Sequence, residues 1–356
     1  MKLLEFKCKL FGSNGTNDWY IEDMSLNKRI NLLVGQNATG KSRVVRYLNT
    51  FIYLITDSDV FEDILAHYSK SEWSCVFQKD NGDIINYSVS FDFKKGLFIN
   101  EEKLSLNDNV LLKRKNGRTE IFSFTNNKLL KISPPDNKLV LHIRRDTEEF
   151  PFFEDIVKWA EESFIYEFAD EDAGKNLTFW FDQLSKESVE ILKKDFNQLG
   201  YKLNNIFSKK NKFSDTKVVH IQEEGLEKTI IETDLSQGMS RALDLLTLVQ
   251  YLLQLNETSI FMLDDIGEGL DYERATKLGK LLVEKIENSN IQLIATTNDS
   301  FLMDVIPIKY WNILQREGNT VRSLNYQNSK DLFDKFRLTG LSNFDLFSSD
   351  YLLQKQ

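Results

Sequence analysis

Sulfur and imidazole are scarce in this sequence. Its 356 residues include two cysteines, Cys8 and Cys75, and three histidines, His67, His142 and His220, far apart in the chain. Two isolated cysteines build neither a disulfide framework nor a zinc cluster, so a reducing, cytoplasmic setting is expected. Three scattered histidines speak against a His-rich metal site and against a Ser-His-Asp hydrolase. Long apolar runs are also missing. Stretches such as Phe51–Ile55 fall far short of the roughly 18 residues needed to span a bilayer. The start, Met1–Lys7, alternates apolar and charged residues like a strand and lacks the apolar core of a signal peptide. Neither a membrane span nor an export segment is expected. There is no basic excess either: 45 Lys and Arg against 54 Asp and Glu give a net charge of −9. That argues against a surface that tracks nucleic acid everywhere and leaves only a local basic groove.

What is present points to a large globular chain. Hydrophobic residues make up 41% and charged residues 28%, enough for a sizeable core under a wet surface. The length suggests roughly two domains, or one large α/β domain with an insertion.

Four blocks differ in periodicity. Residues 1 to 56 read strand, loop, strand, loop, helix. Arg29–Val34 is a short apolar run suited to a buried parallel strand. Lys41–Thr56 carries Val44, Val45, Leu48, Ile52 and Ile55 at helical spacing. Residues 72–143 alternate instead, as in Ile85–Phe93, with turn signals at Asn81-Gly82-Asp83, Lys94-Lys95-Gly96 and Asn116-Gly117. Antiparallel hairpins, wet on one face, are expected there, and Leu139–Ile143 reads as a further strand. Residues 150–216 read as helical: an amphipathic helix over Phe152–Phe168, and a second over Lys186–Leu199 with Ser185 as N-cap and Gly200 as stop. Lys209-Lys210-Asn211-Lys212 reads as a polar loop. Residues 217–325 return to buried-sheet strands at Val218–Ile221, Ser259–Leu263 and Ile291–Thr296, with helices over 237–255 and 272–288. A hairpin over Trp311–Asn325 turns at Glu317-Gly318-Asn319, followed by a short helix near Ser329–Phe336 and a polar tail.

Three motifs carry chemistry. Gly35-Gln36-Asn37-Ala38-Thr39-Gly40-Lys41-Ser42 is a G-x-x-x-x-G-K-S phosphate loop between a strand and a helix. Gly35 and Gly40 permit the tight turn that aims backbone N–H groups at phosphate oxygens. Lys41 meets the β- and γ-phosphates, Ser42 offers a hydroxyl to Mg²⁺, and the helix that starts there, with Arg43 in its first turn, adds its positive end. Second, the apolar strand ending in Asp264 and Asp265 suits a magnesium-holding carboxylate beside a water-activating one. Third, Leu235-Ser236-Gln237-Gly238-Met239-Ser240-Arg241 opens a helix. Ser236 and Gly238 make a second anion-binding surface there, an N-cap serine with a loop glycine being the plainer reading.

The order of these motifs resembles an ABC-type ATPase head of the SMC/RecF and OLD-like group, the AAA family ATPases found in bacterial anti-phage defence systems. The resemblance covers most of the chain, and Asn37 in the phosphate loop belongs to it. It implies an α/β P-loop nucleotide-binding head with a mixed sheet, an antiparallel β subdomain and a helical insertion. The nucleotide-binding core would be residues 1–70 and 217–325, the hairpin subdomain 71–149, the helical insertion 150–216, and a C-terminal helix and tail 326–356. It also implies ATP and Mg²⁺, with Gly35 to Arg43 around the phosphates and Ser42 and Asp264 on the metal. Lys41, Asp264, Asp265 and Asn298 would form the catalytic set, Asp265 standing where a glutamate is usual and Asn298 where a switch histidine is usual. Ser236, Gly238 and Asp271, the last in the D-loop run Glu268-Gly269-Leu270-Asp271, would face a nucleotide held by a second subunit.

Asp265 is one methylene shorter than glutamate, and Asn298 donates a hydrogen bond but carries no positive charge. Both point to slow hydrolysis with ATP binding kept. The glutamine-bearing loop of the group maps near Ile143-Arg144-Arg145-Asp146, where arginines would serve instead. Trp19 or Tyr20 would stack on adenine, against a plainer role in the core. Lys113-Arg114-Lys115 with Arg118, and the lysines at 209–212, read as solvated faces, with contact to a nucleic-acid backbone as the alternative. The function expected is an ATP-driven homodimerising switch that regulates a protein effector from another chain. The alternatives are a RecF-like DNA-binding repair ATPase and a non-hydrolysing nucleotide sensor.

Overall fold

Strand β3 (Ile30–Val34) is buried along its whole length, and the sheet is built outward from it. The structure, a computed structural model, describes residues 1–13, 15–56, 67–93, 96–167, 177–210, 217–257 and 260–348. On one side of β3 lie β15 (Gln292–Thr296), β14 (Ile260–Asp264) and β10 (Ser163–Glu167), all parallel to it. On the other side β16 (Trp311–Glu317) is parallel to β3 and forms a hairpin with β17 (Thr320–Asn325). Next come β2 (Trp19–Ser25) and β1 (Lys2–Gly12). The same sheet continues as an antiparallel meander: β4 (Tyr68–Gln78), β5 (Ile84–Asp92), β6 (Phe98–Leu106), β7 (Asn109–Lys115), β8 (Arg118–Ser123) and β9 (Lys128–Ile132). Among the described residues fourteen strands thus form one mixed sheet.

Alternate residues of β3 feed two cores. Ile30, Leu32 and Val34 join the apolar cluster that holds helices Gln237–Leu255, Tyr272–Glu287 and Lys186–Gln198. Leu33 joins the cluster on the other face, with helix Lys41–Ile55, the inner face of the meander and helix Pro151–Glu161. The one polar residue of β3, Asn31, is fully buried and satisfied: its amide donates to Asn27 O at 2.8 Å and it accepts from Asn312 at 3.1 Å.

Several sequence expectations need correction. Leu139–Ile143 is not a strand: Val140–Ile143 is a short helix. Its N–H at Val140 goes to the Glu102 carboxylate of β6 instead of to a neighbouring strand. The helix expected over Phe152–Phe168 runs only over Pro151–Glu161, and Ser163–Glu167 becomes β10, the edge strand beside β14. Val218–Ile221 lies in β12 (Lys217–Glu223), which belongs to a separate antiparallel sheet with β11 (Leu203–Lys210) and β13 (Ile230–Ile231), not to the buried sheet. Lys209 and Lys210 are the end of β11, paired with Val218 and Lys217, not loop. Lys94, Lys95, Phe168, Asn211, Lys212, Ser259 and the tail 349–356 lie outside the described residues. The remaining helices and hairpins fall where periodicity places them. Ser185 caps its helix by accepting from Ser188 N at 3.1 Å. Among the described residues no helix is long and apolar enough to cross a membrane.

Candidate functional site

The loop after β3 is drawn tight by its own atoms. Thr39 Oγ1 donates to Gln36 O at 2.8 Å. Gly40, at φ +103°, begins the helix from the left-handed region, and a Cβ there would come within 2.7 Å of the Trp19 ring. Val44 N is the first to find an intrahelical acceptor, Gly40 O, so the N–H groups of Lys41, Ser42 and Arg43 stand at the helix start without one. Lys41 is 7% exposed and its ammonium donates to Gly35 O at 2.7 Å and Gln36 O at 3.4 Å. Burial pulls its pKa down, and the carboxylates of Asp265 and Asp264 pull it back up. The loop floors a cleft of about 990 Å³, which also takes in residues 16–19, Asn298, Arg316, Gly318 and Asn319.

β14 and β15 deliver the carboxylates. Thr296 Oγ1 donates to Asp264 Oδ1 and accepts from Asp265 N at 2.8 Å, so one hydroxyl fixes both acids. Asp265 sits at φ +59°, a strained setting for a non-glycine residue. Its carboxylate accepts from Asn298 Nδ2 at 3.3 Å. Burial raises its pKa first, and a hydrogen bond and the like charge of Glu268 raise it further, against the pull of Asn298 and Lys41. Lys41, Asp264, Asp265 and Asn298 are thus brought together.

Ser236, Gly238 and Asp271 are brought together elsewhere. Ser236 accepts from Met239 N at 3.4 Å as N-cap of helix Gln237–Leu255. Gly238 packs so closely on the next loop that a Cβ would come within 2.9 Å of Gly269 O. Arg241, 8% exposed, donates to Glu268 O at 3.1 Å and locks the two segments. Asp271 caps helix Tyr272–Glu287 through Arg274 N at 3.0 Å, and that bond holds its carboxyl below the usual range. None of these three lines the cleft of the phosphate loop.

Other expectations are displaced. The His142 ring lies 3.0 Å from Leu54 O and 3.2 Å from Ile55 O, at the far end of helix Lys41–Ile55. A helix of that length spans about 22 Å, so Arg144 and Arg145 stand well away from the loop, and Arg145 pairs with Glu154. Trp19 is 3% exposed, covered by Gly40 and by the guanidinium groups of Arg43 and Arg316, at 4.2 and 4.6 Å from its ring centroid. Its faces are taken, so it does not offer itself to a base. Tyr20 donates to Asp18 at 2.6 Å and packs on Phe11. Of the basic run, Arg114 is buried, donating to Lys138 O and Pro135 O at 2.8 Å each. Arg316 has no signal in the sequence. Arg241 and Glu268 belong to the Leu235–Arg241 and Glu268–Asp271 motifs, Thr296 to the strand Ile291–Thr296 and Asn319 to the Glu317-Gly318-Asn319 turn, but none of the four carries a role that the sequence assigns.

Comparisons with known proteins agree on this architecture. The SMC head domain from Thermotoga maritima is 15% identical, with a TM-score of 0.51 over 91% of this chain and 99% of that one. An SmcHead bound to the C-winged helix domain of ScpA gives 11% identity and a TM-score of 0.55 over 93% and 100%. An Smc head with an extended coiled coil, bound to the C-terminal domain of ScpA derived from Pyrococcus furiosus, gives 12% and 0.51 over 94% and 99%. Such identities establish the fold, an SMC-head-like ATPase fold. Among curated proteins no relative matches in sequence. A family model does match, over residues 30–304, from β3 through the loop, both acids and Asn298. The chain belongs to the AAA_21 family, described as "AAA domain, putative AbiEii toxin, Type IV TA system".

Proposed function

We propose that this chain binds ATP with Mg²⁺ at the phosphate loop, hydrolyses it slowly, and pairs with a second copy around two nucleotides, as a regulatory switch for a partner effector in bacterial anti-phage defence. The observation that carries the reading is Lys41, a desolvated ammonium held on Gly35 O and Gln36 O and facing Asp264 and Asp265. Three free N–H groups at the helix start and one cation make a donor set suited to a polyphosphate. Among the described residues no cluster of three His, Cys, Asp or Glu forms a metal cage. That fits an Mg²⁺ ion completed by phosphate oxygens and water. Ser42 and Asp264 would hold it, and its chemistry there is to neutralise phosphate charge.

Asp265 would accept the proton from the attacking water. It is engaged by Asn298 and Glu268, which supports slow turnover. Ser236, Gly238 and Asp271 gather on a surface outside the cleft, which supports their meeting a nucleotide held by another copy. The family description, which names a putative AbiEii toxin of a Type IV TA system, supports a place in a bacterial two-component system of that kind. Solved SMC heads bound to ScpA domains support a protein partner.

Light scattering on Asp265→Ala with saturating MgATP tests the reading. A dimer mass is expected, with Lys41→Ala remaining monomeric; a monomer in both overturns it. Turnover that Lys41→Ala abolishes would exclude a non-hydrolysing sensor.

A second reading, contact with duplex DNA, has one observation in its favour. Lys7, Lys103 and Lys113 stand in one cross-strand row with Ser74 and Ser88 between them. With Lys9, Lys70 and Lys115 they line an open groove of about 640 Å³ on the wet face of the meander.

A further inference from the structure

β3 ends between two unlike flanks. On the β15 and β14 side stand Asp264, Asp265 and Asn298. On the opposite side, β16, β17 and β2 present Arg316, the turn at Gly318-Asn319, and Trp19. A triphosphate seated on Lys41 with its terminal phosphate toward the acids therefore sends its nucleoside toward the Trp19 flank. This step rests on the nucleotide reading proposed above.

That flank holds a stack with one side open. Arg316 is pinned: its Nε donates to Gly318 O at 2.7 Å and its Nη1 to Ala38 O at 2.9 Å. Arg43 has no such anchor. Among the described residues it makes no hydrogen bond and no ion pair, is exposed, and lies 4.2 Å over the Trp19 ring. Among the described residues the Trp19 ring is the one partner its guanidinium has, and Arg43 lines the cleft. The Trp19 indole N–H is itself buried without an acceptor. Such a donor is costly to keep, so the ring is not there for its hydrogen bond. Indole is the strongest partner for a cation among the aromatic rings, which explains a tryptophan at this position.

We infer that the nucleobase stacks on the Arg43 guanidinium, which Trp19 supports from beneath and Arg316 flanks, so that a purine is held by a cationic plane instead of by an aromatic ring. Guanidinium planes stack on bases as they do on aromatic faces. Stacking responds to the area of the base and ignores its edges. ATP and GTP are therefore bound with similar affinity, and UTP and CTP more weakly.

Calorimetric titration of the full chain with Mg²⁺ and each nucleotide tests this, with inorganic tripolyphosphate as the probe that lacks a base. Arg43→Ala is expected to weaken ATP about tenfold, the size of one stacking contact, and to leave tripolyphosphate nearly unchanged. Arg43→Lys, which keeps the charge but loses the plane, is expected not to restore ATP. Equal losses for both ligands would make Arg43 a phosphate ligand and overturn the inference. So would full rescue by lysine, unchanged ATP affinity, or rejection of GTP by the wild type. Retention of both ligands by Lys41→Ala would sink the phosphate-loop reading and this inference with it, whereas the Arg43 outcomes sink the inference alone.

Discussion

The two halves of the fourteen-stranded sheet use their faces in opposite ways. In the parallel half, β3 and β15 are buried at every position and β14 at all but its last. Both faces are spent on packing, so polar chemistry appears only where strands stop: Gly35–Ser42 after β3, Asp264 and Asp265 at the end of β14, Asn298 after β15. In the antiparallel half, β4 and β5 alternate buried and half-exposed residues. One face packs on helix Lys41–Ile55 and the other is wet, set with lysine and serine. A sheet covered on both sides confines binding to its ends, while a sheet covered on one side leaves a whole face free.

The sharpest way to break this comparison is to ask whether the halves fold as one. Trp73 of β4 is 1% exposed and lies 6.2 Å from Phe51 and 6.4 Å from Tyr47, both on the helix that starts at the phosphate loop. Trp73→Ala is expected to cost about 3–5 kcal/mol and to shift a single unfolding transition seen alike by far-UV circular dichroism and calorimetry. A split into two transitions, one unmoved, would make the meander a separate unit.

A smaller effect separates the halves by pH. Glu102, fully buried in β6, accepts from Val140 N at 2.9 and 3.1 Å and from Tyr87 at 3.0 Å, with buried Arg114 nearby. Burial raises its pKa from 4.5 to about 7, against those bonds and Arg114. The folded state therefore holds a proton that the unfolded state has released between these values. The stability from this group is complete below about pH 4.5 and lost as pH rises to 7, on the order of 3 kcal/mol in all. Glu102→Gln, which resembles the protonated form, is expected to flatten the urea-midpoint profile over that range. An unchanged slope would mean that Glu102 is ionised throughout.

Legibility in the sequence follows the same divide. β3 and β14 show as apolar runs because both faces are buried, and the loop between β3 and its helix shows because each of its glycines has a local task. The hairpins show because alternation and Asn-Gly turns are local signals. What fails depends on distant partners. Val140–Ile143 is helical because Glu102, 38 residues earlier, takes its first N–H. Ser163–Glu167 is a strand because β14, far along the chain, pairs with it in parallel register, and its Phe-Ile-Tyr run suits either period. At the site, Lys41 and the two acids were legible as motif. Arg316 was not, since only the fold brings the β16–β17 turn onto the loop. Arg114 was misread although strand parity was available: if Lys113 and Lys115 face water, Arg114 faces the core.

The smallest expected effect concerns the wet face itself. Lys103 and Lys113 are directly paired across β6 and β7, exposed, and make no ion pair among the described residues, with Glu120 of β8 opposite Lys113. Their neighbours are neutralised, Lys115 by Glu101 at 2.6 Å and Lys9 by Glu22 at 3.5 Å. If the groove touches a duplex, these two lysines carry most of the contact, because the rest are already paired. Binding of wild type to a short duplex should then fall steeply between about 50 and about 200 mM salt, and the Lys103→Glu, Lys113→Glu double variant should lower the log–log slope by about 2. Fold and nucleotide binding should not change, since both side chains project from a face that packs on nothing. Duplex binding absent at low salt, with or without ATP, would remove the DNA reading and leave this face to a protein partner. Equal binding by the double variant would move any DNA site off the meander.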